Sequence, residues 1–121
     1  MHLTWYSWLI GFGLTLLFEL PLVVWLLQDE LVSMPRRLAI AVFANLVTHP
    51  LVWFFFSQMP LAYEWRVALS ECWAFVGEGL FYFVVVSRIG LTRAFLVSLA
   101  ANATSFGLGW AVVSRWGRLL F

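Results

Sequence analysis

The sequence contains no lysine, a single cysteine and few charged residues of either sign. Its 121 residues include seven arginines and six acidic residues, which makes 11% charged, whereas soluble domains carry about 25%. The arginines form no basic patch of the kind that binds nucleic acid. Cys72 alone excludes an internal disulfide and a multi-cysteine metal site. A nucleic-acid-binding module and a disulfide-stapled domain are therefore excluded.

Motifs for common chemistry are also missing. No serine lies in a G-x-S-x-G setting, and neither histidine belongs to an H-x-x-x-H or E-x-x-H pattern. His2 lies at the terminus, so His49 alone cannot supply both axial ligands of a bis-histidine haem within one chain. The sequence identifies no cofactor, and the missing motifs favour a protein that is not an enzyme, with a membrane enzyme kept as an alternative.

What the sequence has in abundance is apolar residues, which make up 64% of the chain. Hydropathy divides them into four segments of about 20 residues, the length that crosses a bilayer as a helix. The connections are short, so consecutive helices should be antiparallel neighbours. We predict an all-α integral membrane protein, a single four-transmembrane-helix bundle over residues 1–121. The predicted spans are 5–27, 37–56, 66–87 and 93–113.

The basic residues and tryptophans bear on location and orientation. All seven cations are arginines, a usage compatible with a GC-rich bacterial genome, and we expect a bacterial inner membrane. Three arginines lie on the side of the termini and four on the other. The positive-inside rule compares these numbers, and they differ by only one residue. That difference, with seven of the eight tryptophans toward the terminal side, favours termini outside the cell.

Two decamers in the second and fourth segments resemble each other. ANLVTHPLVW begins at Ala44 and ANATSFGLGW begins at Ala101, and they share Ala, Asn, Leu and Trp at the same offsets. Thr48 matches Ser105 in the same alignment. Small-residue helix patterns match easily by chance, but a shared buried asparagine is less common. The pattern indicates an internal repeat.

The repeat extends to the preceding helices. Glu19 and Glu78 fall near equivalent positions of the first and third segments. Each half, about 5–56 and 66–113, is then a helical hairpin with a glutamate on the outgoing helix and an asparagine on the returning one. Two spans per half predict a duplicated hairpin, a parallel repeat with a pseudo-two-fold axis along the membrane normal.

Helical rise places one polar residue of each segment at a common depth. Glu19 and Asn45 lie about 12 Å from the end that carries the first and third loops, and Glu78 and Asn102 about 13–14 Å. This depth is near the middle of a bilayer core about 30 Å thick. His49 lies about one turn further along. The predicted flanking polar residues are Thr15, Thr48, Glu71, Tyr82, Ser98 and Ser105.

Two interpretations of this layer remain open. A charged side chain at mid-membrane costs about 2.5–3.5 kcal/mol, so the glutamates should either share protons or ligate a cation. Glu19, His49 and Glu78 are the candidate ligands if the cation is a metal, whose identity the sequence leaves unknown. Alternatively, the polar side chains only tie helices together, at about 0.6 kcal/mol per contact.

The preferred function is the handling of protons or a cation at Glu19, Asn45, His49, Glu78 and Asn102. A chain this short would work within the bilayer as part of a homo-oligomer or a larger membrane complex. The first alternative is a non-catalytic accessory or scaffold subunit whose polar layer only fixes helix packing. The second alternative is a membrane enzyme or a lipid- or quinone-binding protein that uses His49 with Glu19 or Glu78.

Overall fold

The computed structural model describes residues 5–120 and shows an all-helical protein. The termini outside this range include His2. The four α-helices are α1 (Trp5–Leu26), α2 (Met34–Phe54), α3 (Tyr63–Val85) and α4 (Leu91–Leu120), with a short 3₁₀ turn at Phe56–Gln58. Each α-helix is long and apolar enough to span a membrane. The predicted helical bundle with four candidate spans is confirmed.

Two helices extend beyond the predicted spans. α4 continues to Leu120, past the predicted end of its span at residue 113, because Arg115 lowers the hydropathy without interrupting the helix. Pro35, which precedes the predicted span 37–56, lies in the first turn of α2. A proline is tolerated there because the first backbone N–H groups of a helix have no intrahelical partner.

The helices pack in a ring in which each contacts two neighbours, in the order α1, α2, α3, α4 and back to α1. Within the described part of the chain, helices on opposite corners do not contact each other. We call the end where α1 and α3 begin and α2 and α4 end the terminal end. The opposite end, with the α1–α2 and α3–α4 connections, is the loop end.

The apolar core fills the half of the bundle toward the loop end. It contains fully buried side chains of all four helices, such as Val23, Ala41, Tyr82 and Val97. On α4, by contrast, no residue after Asn102 is buried. The bundle is therefore tightly packed at the loop end and looser at the terminal end.

Two arginines hold the loop-end terminus of α1. Arg93 donates from Nη2 to the carbonyl oxygen of Leu26 at 2.6 Å and from Nε to Glu30 Oε1 at 3.0 Å. Arg37 donates from Nη1 to the carbonyl oxygen of Val24, also at 2.6 Å. Cations at this position satisfy carbonyls that lack intrahelical donors and complement the negative end of the helix dipole.

Close approach of neighbouring helices depends on two glycines of α3. A Cβ at Gly79 would lie 2.7 Å from a ring carbon of Phe95, and one at Gly77 would lie 2.9 Å from the methyl group of Thr48. Gly109 of α4, also a candidate for close packing from its sequence context, has open space around its Cβ position. Glycine is thus sterically required on α3 but not at Gly109.

We predict that Gly79→Ala lowers the free energy of unfolding by about 1–3 kcal/mol, because Phe95 must move out of a packed interface. The matched control Gly109→Ala should leave stability unchanged or raise it by up to about 1 kcal/mol, through the helix propensity of alanine. Detergent-induced unfolding in mixed micelles measures both. Equal destabilisation by the two substitutions would contradict the packing described for α3 and α4.

Candidate functional site

Glu78 lies on α3 with both carboxyl oxygens hydrogen-bonded. Thr48 Oγ1 of α2 donates to Oε1 at 2.9 Å, and Asn102 Nδ2 of α4 donates to Oε2 at 2.8 Å. The side chain is buried, with an exposed fraction of 1%. Glu78 therefore ties α3 to both of its neighbours in the ring, with no carboxyl oxygen left without a partner.

Glu19 on α1 is equally buried but only half satisfied. Ser105 Oγ of α4 donates to Glu19 Oε1 at 2.6 Å. Its other oxygen, Oε2, makes no hydrogen bond of normal distance and angle, although the Asn45 amide lies close to the carboxyl group and the exposed fraction of the residue is 0%. An unpaired carboxyl oxygen in a buried position is energetically costly, so Glu19 is the residue that a proton or another positive group would stabilise.

The hydroxyl groups beside the two carboxyls can either donate or accept. Ser105 Oγ lies 3.2 Å from a carbonyl oxygen in the preceding turn of its own helix, and Thr48 Oγ1 lies 3.4 Å from another. If Glu19 or Glu78 is protonated, the hydroxyl can accept that proton in a hydrogen bond and donate its own to the carbonyl. Both carboxyls can thus gain or lose a proton without breaking their contacts.

His49 lies on α2 inside a group of aromatic rings. Its ring centroid is 5.2 Å from Phe12, 6.0 Å from Trp53 and 6.3 Å from Trp8. Nε2 is 3.3 Å from Thr15 Oγ1, while the buried Nδ1 has no partner. The imidazole is held by apolar walls with one nitrogen still able to bind or release a proton.

A cavity of about 170 Å³, which we call the central chamber, lies among these side chains. Nine of the eleven residues predicted from the sequence line it. The polar lining consists of Thr15, Glu19, Asn45, Thr48, His49, Glu71, Glu78, Asn102 and Ser105. The predicted layer is therefore brought together in space, with the hydroxyls and His49 around it. Its chemical role stays a prediction.

The two predicted residues outside this lining are Tyr82 and Ser98, which lie toward the loop end. Both are fully buried. Ser98 donates to the carbonyl oxygen of Phe75 at 2.8 Å and lies 3.3 Å from the amide nitrogen of Asn102. The hydroxyl of Tyr82 has no hydrogen-bond partner. These residues pack beneath the chamber instead of forming its wall.

Two larger cavities adjoin the chamber at the terminal end. One, of about 460 Å³, lies between α1 and α4 and shares Thr15, His49 and Ser105 with the chamber; we call it the α1–α4 groove. The other, of about 610 Å³, lies beside α3 and shares Glu71 with the chamber; we call it the α3 vestibule. Trp53 lines all three cavities. The polar layer is bordered by cavities on this side and by the packed core on the other.

Sequence reasoning missed the apolar residues that separate these cavities. Trp53 and Phe106 line all three, and Val52 and Ala74 complete the chamber. Gly11 of α1 provides the space for the Trp53 indole, which a Cβ at that position would overlap. In the sequence, a glycine one turn before Thr15 indicates that space is needed beside α1. The glycine does not identify the ring that fills this space.

Glu71 lies where the chamber meets the α3 vestibule, as a residue at the mouth would. Arg66, five positions before Glu71 on α3, donates to the carbonyl oxygen of Ser57 at 2.8 Å. Among residues 5–120, the ion pair formed is Arg93 with Glu30, at the loop end. No arginine lines the chamber, so its three carboxyl groups have no cationic side chain beside them.

The candidate metal ligands do not form a metal-binding cluster. Within the described range, no three His, Cys, Asp or Glu side chains are close enough together to hold a metal ion. His49 directs Nε2 at Thr15, while Glu78 is occupied by hydrogen-bond donors from α2 and α4.

Comparison with protein families, with curated proteins and with solved structures gives no match to this chain.

We predict that Asn102→Leu lowers the free energy of unfolding by about 1–3 kcal/mol, because Glu78 Oε2 loses its donor while remaining buried. Thr104→Val is the control, since Thr104 is half-buried on the same helix and lines none of the three cavities. Unfolding in mixed micelles should separate the two variants. A neutral Asn102→Leu would show that the Glu78 contacts contribute little.

Proposed function

We propose that the protein binds and releases a proton, or a small cation, at Glu19 inside the central chamber. The observation that carries the proposal is the unpaired Oε2 of a fully buried Glu19 at the edge of a cavity. Glu78 acts as the fixed partner, because both of its oxygens already accept hydrogen bonds.

The electrostatics of the chamber support a positively charged occupant. Glu19, Glu71 and Glu78 line it without any arginine, and a charge buried at mid-membrane costs about 2.5–3.5 kcal/mol. A bound proton or cation removes that cost. The hydroxyls of Ser105 and Thr48 can donate a hydrogen bond to an ionised carboxyl group or accept one from a protonated carboxyl group.

We also propose that the bundle is built from a duplicated hairpin. Thr48 and Ser105 are equivalent in the aligned decamers, and each donates to the glutamate of the opposite hairpin. A pseudo-two-fold axis through the bundle would generate this reciprocal pairing. We propose that its departure from symmetry is functional: Asn102 donates to Glu78 Oε2 at 2.8 Å, whereas its counterpart Asn45 donates to the carbonyl oxygen of Ala41 and leaves Glu19 Oε2 without a hydrogen bond of normal geometry.

We further propose that the protein acts in a bacterial inner membrane as part of an oligomer or a larger complex, with its termini outside. The packed core separates the chamber from the loop end, so one copy in this conformation offers no continuous path across the bilayer. A partner subunit, or a second conformation, would complete such a path. Cavities at the terminal end would connect the chamber to the outer side.

A second candidate function has its own support. Glu78, with two donors at 2.9 and 2.8 Å, resembles a residue that only fixes helix packing. If Glu19 were equally fixed in a larger assembly, the chain would be an accessory subunit whose polar layer determines the register of its helices.

Infrared spectroscopy of the purified protein in lipid separates these functions. We predict a carboxyl C=O band that changes with pH in the wild type, disappears in Glu19→Gln and persists in Glu78→Gln. Glu19→Gln should remain folded, because glutamine preserves the acceptor for Ser105.

A carboxyl band that stays unchanged across the whole pH range, with full stability of both variants, would favour the packing role. Loss of the titrating band in Glu78→Gln but not in Glu19→Gln would contradict the assignment of Glu19 as the exchanging residue.

A further inference from the structure

We propose that the α1–α4 groove and the central chamber together bind a hydrophobic amine, with its ammonium group at Glu19 and its apolar body between α1 and α4. The inference rests on the proposed function, because it names the chemical class of the cation that Glu19 exchanges for a proton. Three features carry it: the size and walls of the groove, the polar groups at its inner end, and the charge of its lining.

The groove has the dimensions of a small-molecule site. Its volume of about 460 Å³ falls within the range of about 300–1,000 Å³ that is typical of ligand pockets. Leu14 and Phe18 of α1 face Trp110 and Val113 of α4 across it. Apolar and aromatic walls of this kind suit an alkyl or aryl group and would not retain a hydrated inorganic ion.

The groove opens on the outer surface of the bundle. Trp110 has an exposed fraction of 59% and Phe106 one of 42%, and both line the groove. In a membrane, this surface meets lipid. An amphiphile dissolved in the bilayer could therefore enter between α1 and α4 without crossing the packed core.

Polar groups lie at the inner end of the groove, where it meets the chamber. Thr15, His49 and Ser105 line both cavities, and Ser105 donates to Glu19 Oε1 at 2.6 Å. The unpaired Glu19 Oε2 lies behind this boundary. An ammonium group needs up to three acceptors, and the Glu19 carboxylate with the Thr15 hydroxyl can supply them. The chamber, at about 170 Å³, accommodates a head group but no long chain.

The charge of the lining selects against other amphiphiles. Neither the groove nor the chamber is lined by an arginine, and the chamber carries three carboxyl groups. A phosphate or carboxylate head group would meet only like charge, and an alcohol would leave the carboxylate uncompensated. The indole of Trp53 and the neighbouring aromatic rings add attraction for a cation.

Binding is a balanced exchange. A protonated Glu19 loses its proton to the aqueous side as an alkylammonium ion takes its place, so one positive charge leaves the chamber for each one that enters. No bond in the amine is broken. Amine binding should therefore release one proton per amine and should weaken as the proton concentration rises.

The test uses radiolabelled decylamine and the full-length protein in nanodiscs of zwitterionic lipid, with partition into protein-free nanodiscs subtracted. We expect saturable binding by the wild type and binding at least about tenfold weaker in Glu19→Gln, a loss of about 1.4 kcal/mol or more. Decanol, which has the same chain but no charge, should not compete. Equal binding by wild type and Glu19→Gln, or competition by decanol, would overturn the proposal.

Two glycines of α4 allow a matched pair of substitutions that tests whether the amine binds in the groove. A Cβ at Gly107 or Gly109 would meet no atom within 4 Å, so larger side chains can be placed at either position. Gly109 lines the groove, whereas Gly107 lines none of the three cavities. Gly109→Leu should weaken decylamine binding by about tenfold, and Gly107→Leu should not change it. Equal effects of the two would show that the amine binds elsewhere.

The two proposals can fail separately. If the infrared band of Glu19 titrates but decylamine does not bind, Glu19 exchanges protons and the assigned ligand class is wrong. If the band does not titrate, yet decylamine binds with the dependence on Glu19 and Gly109 described above, the site binds amines without exchanging protons. Release of one proton per bound amine is expected only if both proposals hold.

Discussion

The cost of burying carboxyl groups among apolar helices is the constraint on which the structure depends. Glu19 and Glu78 lie at 0% and 1% exposure in a bundle whose outer surface is apolar. The hydroxyls of Ser105 and Thr48, on the other hairpin in each case, lower that cost by donating hydrogen bonds. The ring order of the helices follows from the same need, because each glutamate must lie beside the helix that carries its donor.

The two ends of the bundle differ in how closely their side chains pack. At the loop end, small and branched apolar residues pack tightly, and Arg93 and Arg37 hold the terminus of α1. At the terminal end, α4 continues beyond its last buried residue, Asn102, and leaves cavities on both sides. The loop end is closely packed and the terminal end contains the two larger cavities. The polar layer lies at the boundary between them.

Hydropathy and helical rise predicted a large part of this arrangement. The four apolar segments predicted the four helices. A rise of about 1.5 Å per residue predicted a common depth for Glu19, Asn45, Glu78 and Asn102. All four line the central chamber. The unpaired oxygen of Glu19 could not be predicted, because it depends on which neighbour each side chain reaches. α4 is longer than the predicted span of the fourth segment, because hydropathy measures transfer into lipid and not continuity of the helix. Tryptophan composition also gave no indication that Trp53 faces inward.

We propose that Glu19, unlike Glu78, holds an exchangeable proton that the adjoining cavities make available, although its side chain is buried. Reaction with an apolar carbodiimide, which modifies protonated carboxyl groups within a membrane, tests this claim most directly when the sites are located by mass spectrometry. Our account predicts modification of Glu19 with little or none of Glu78, and protection of Glu19 by decylamine if the amine is its ligand. Equal modification of both glutamates, or modification of Glu78 alone, would contradict it.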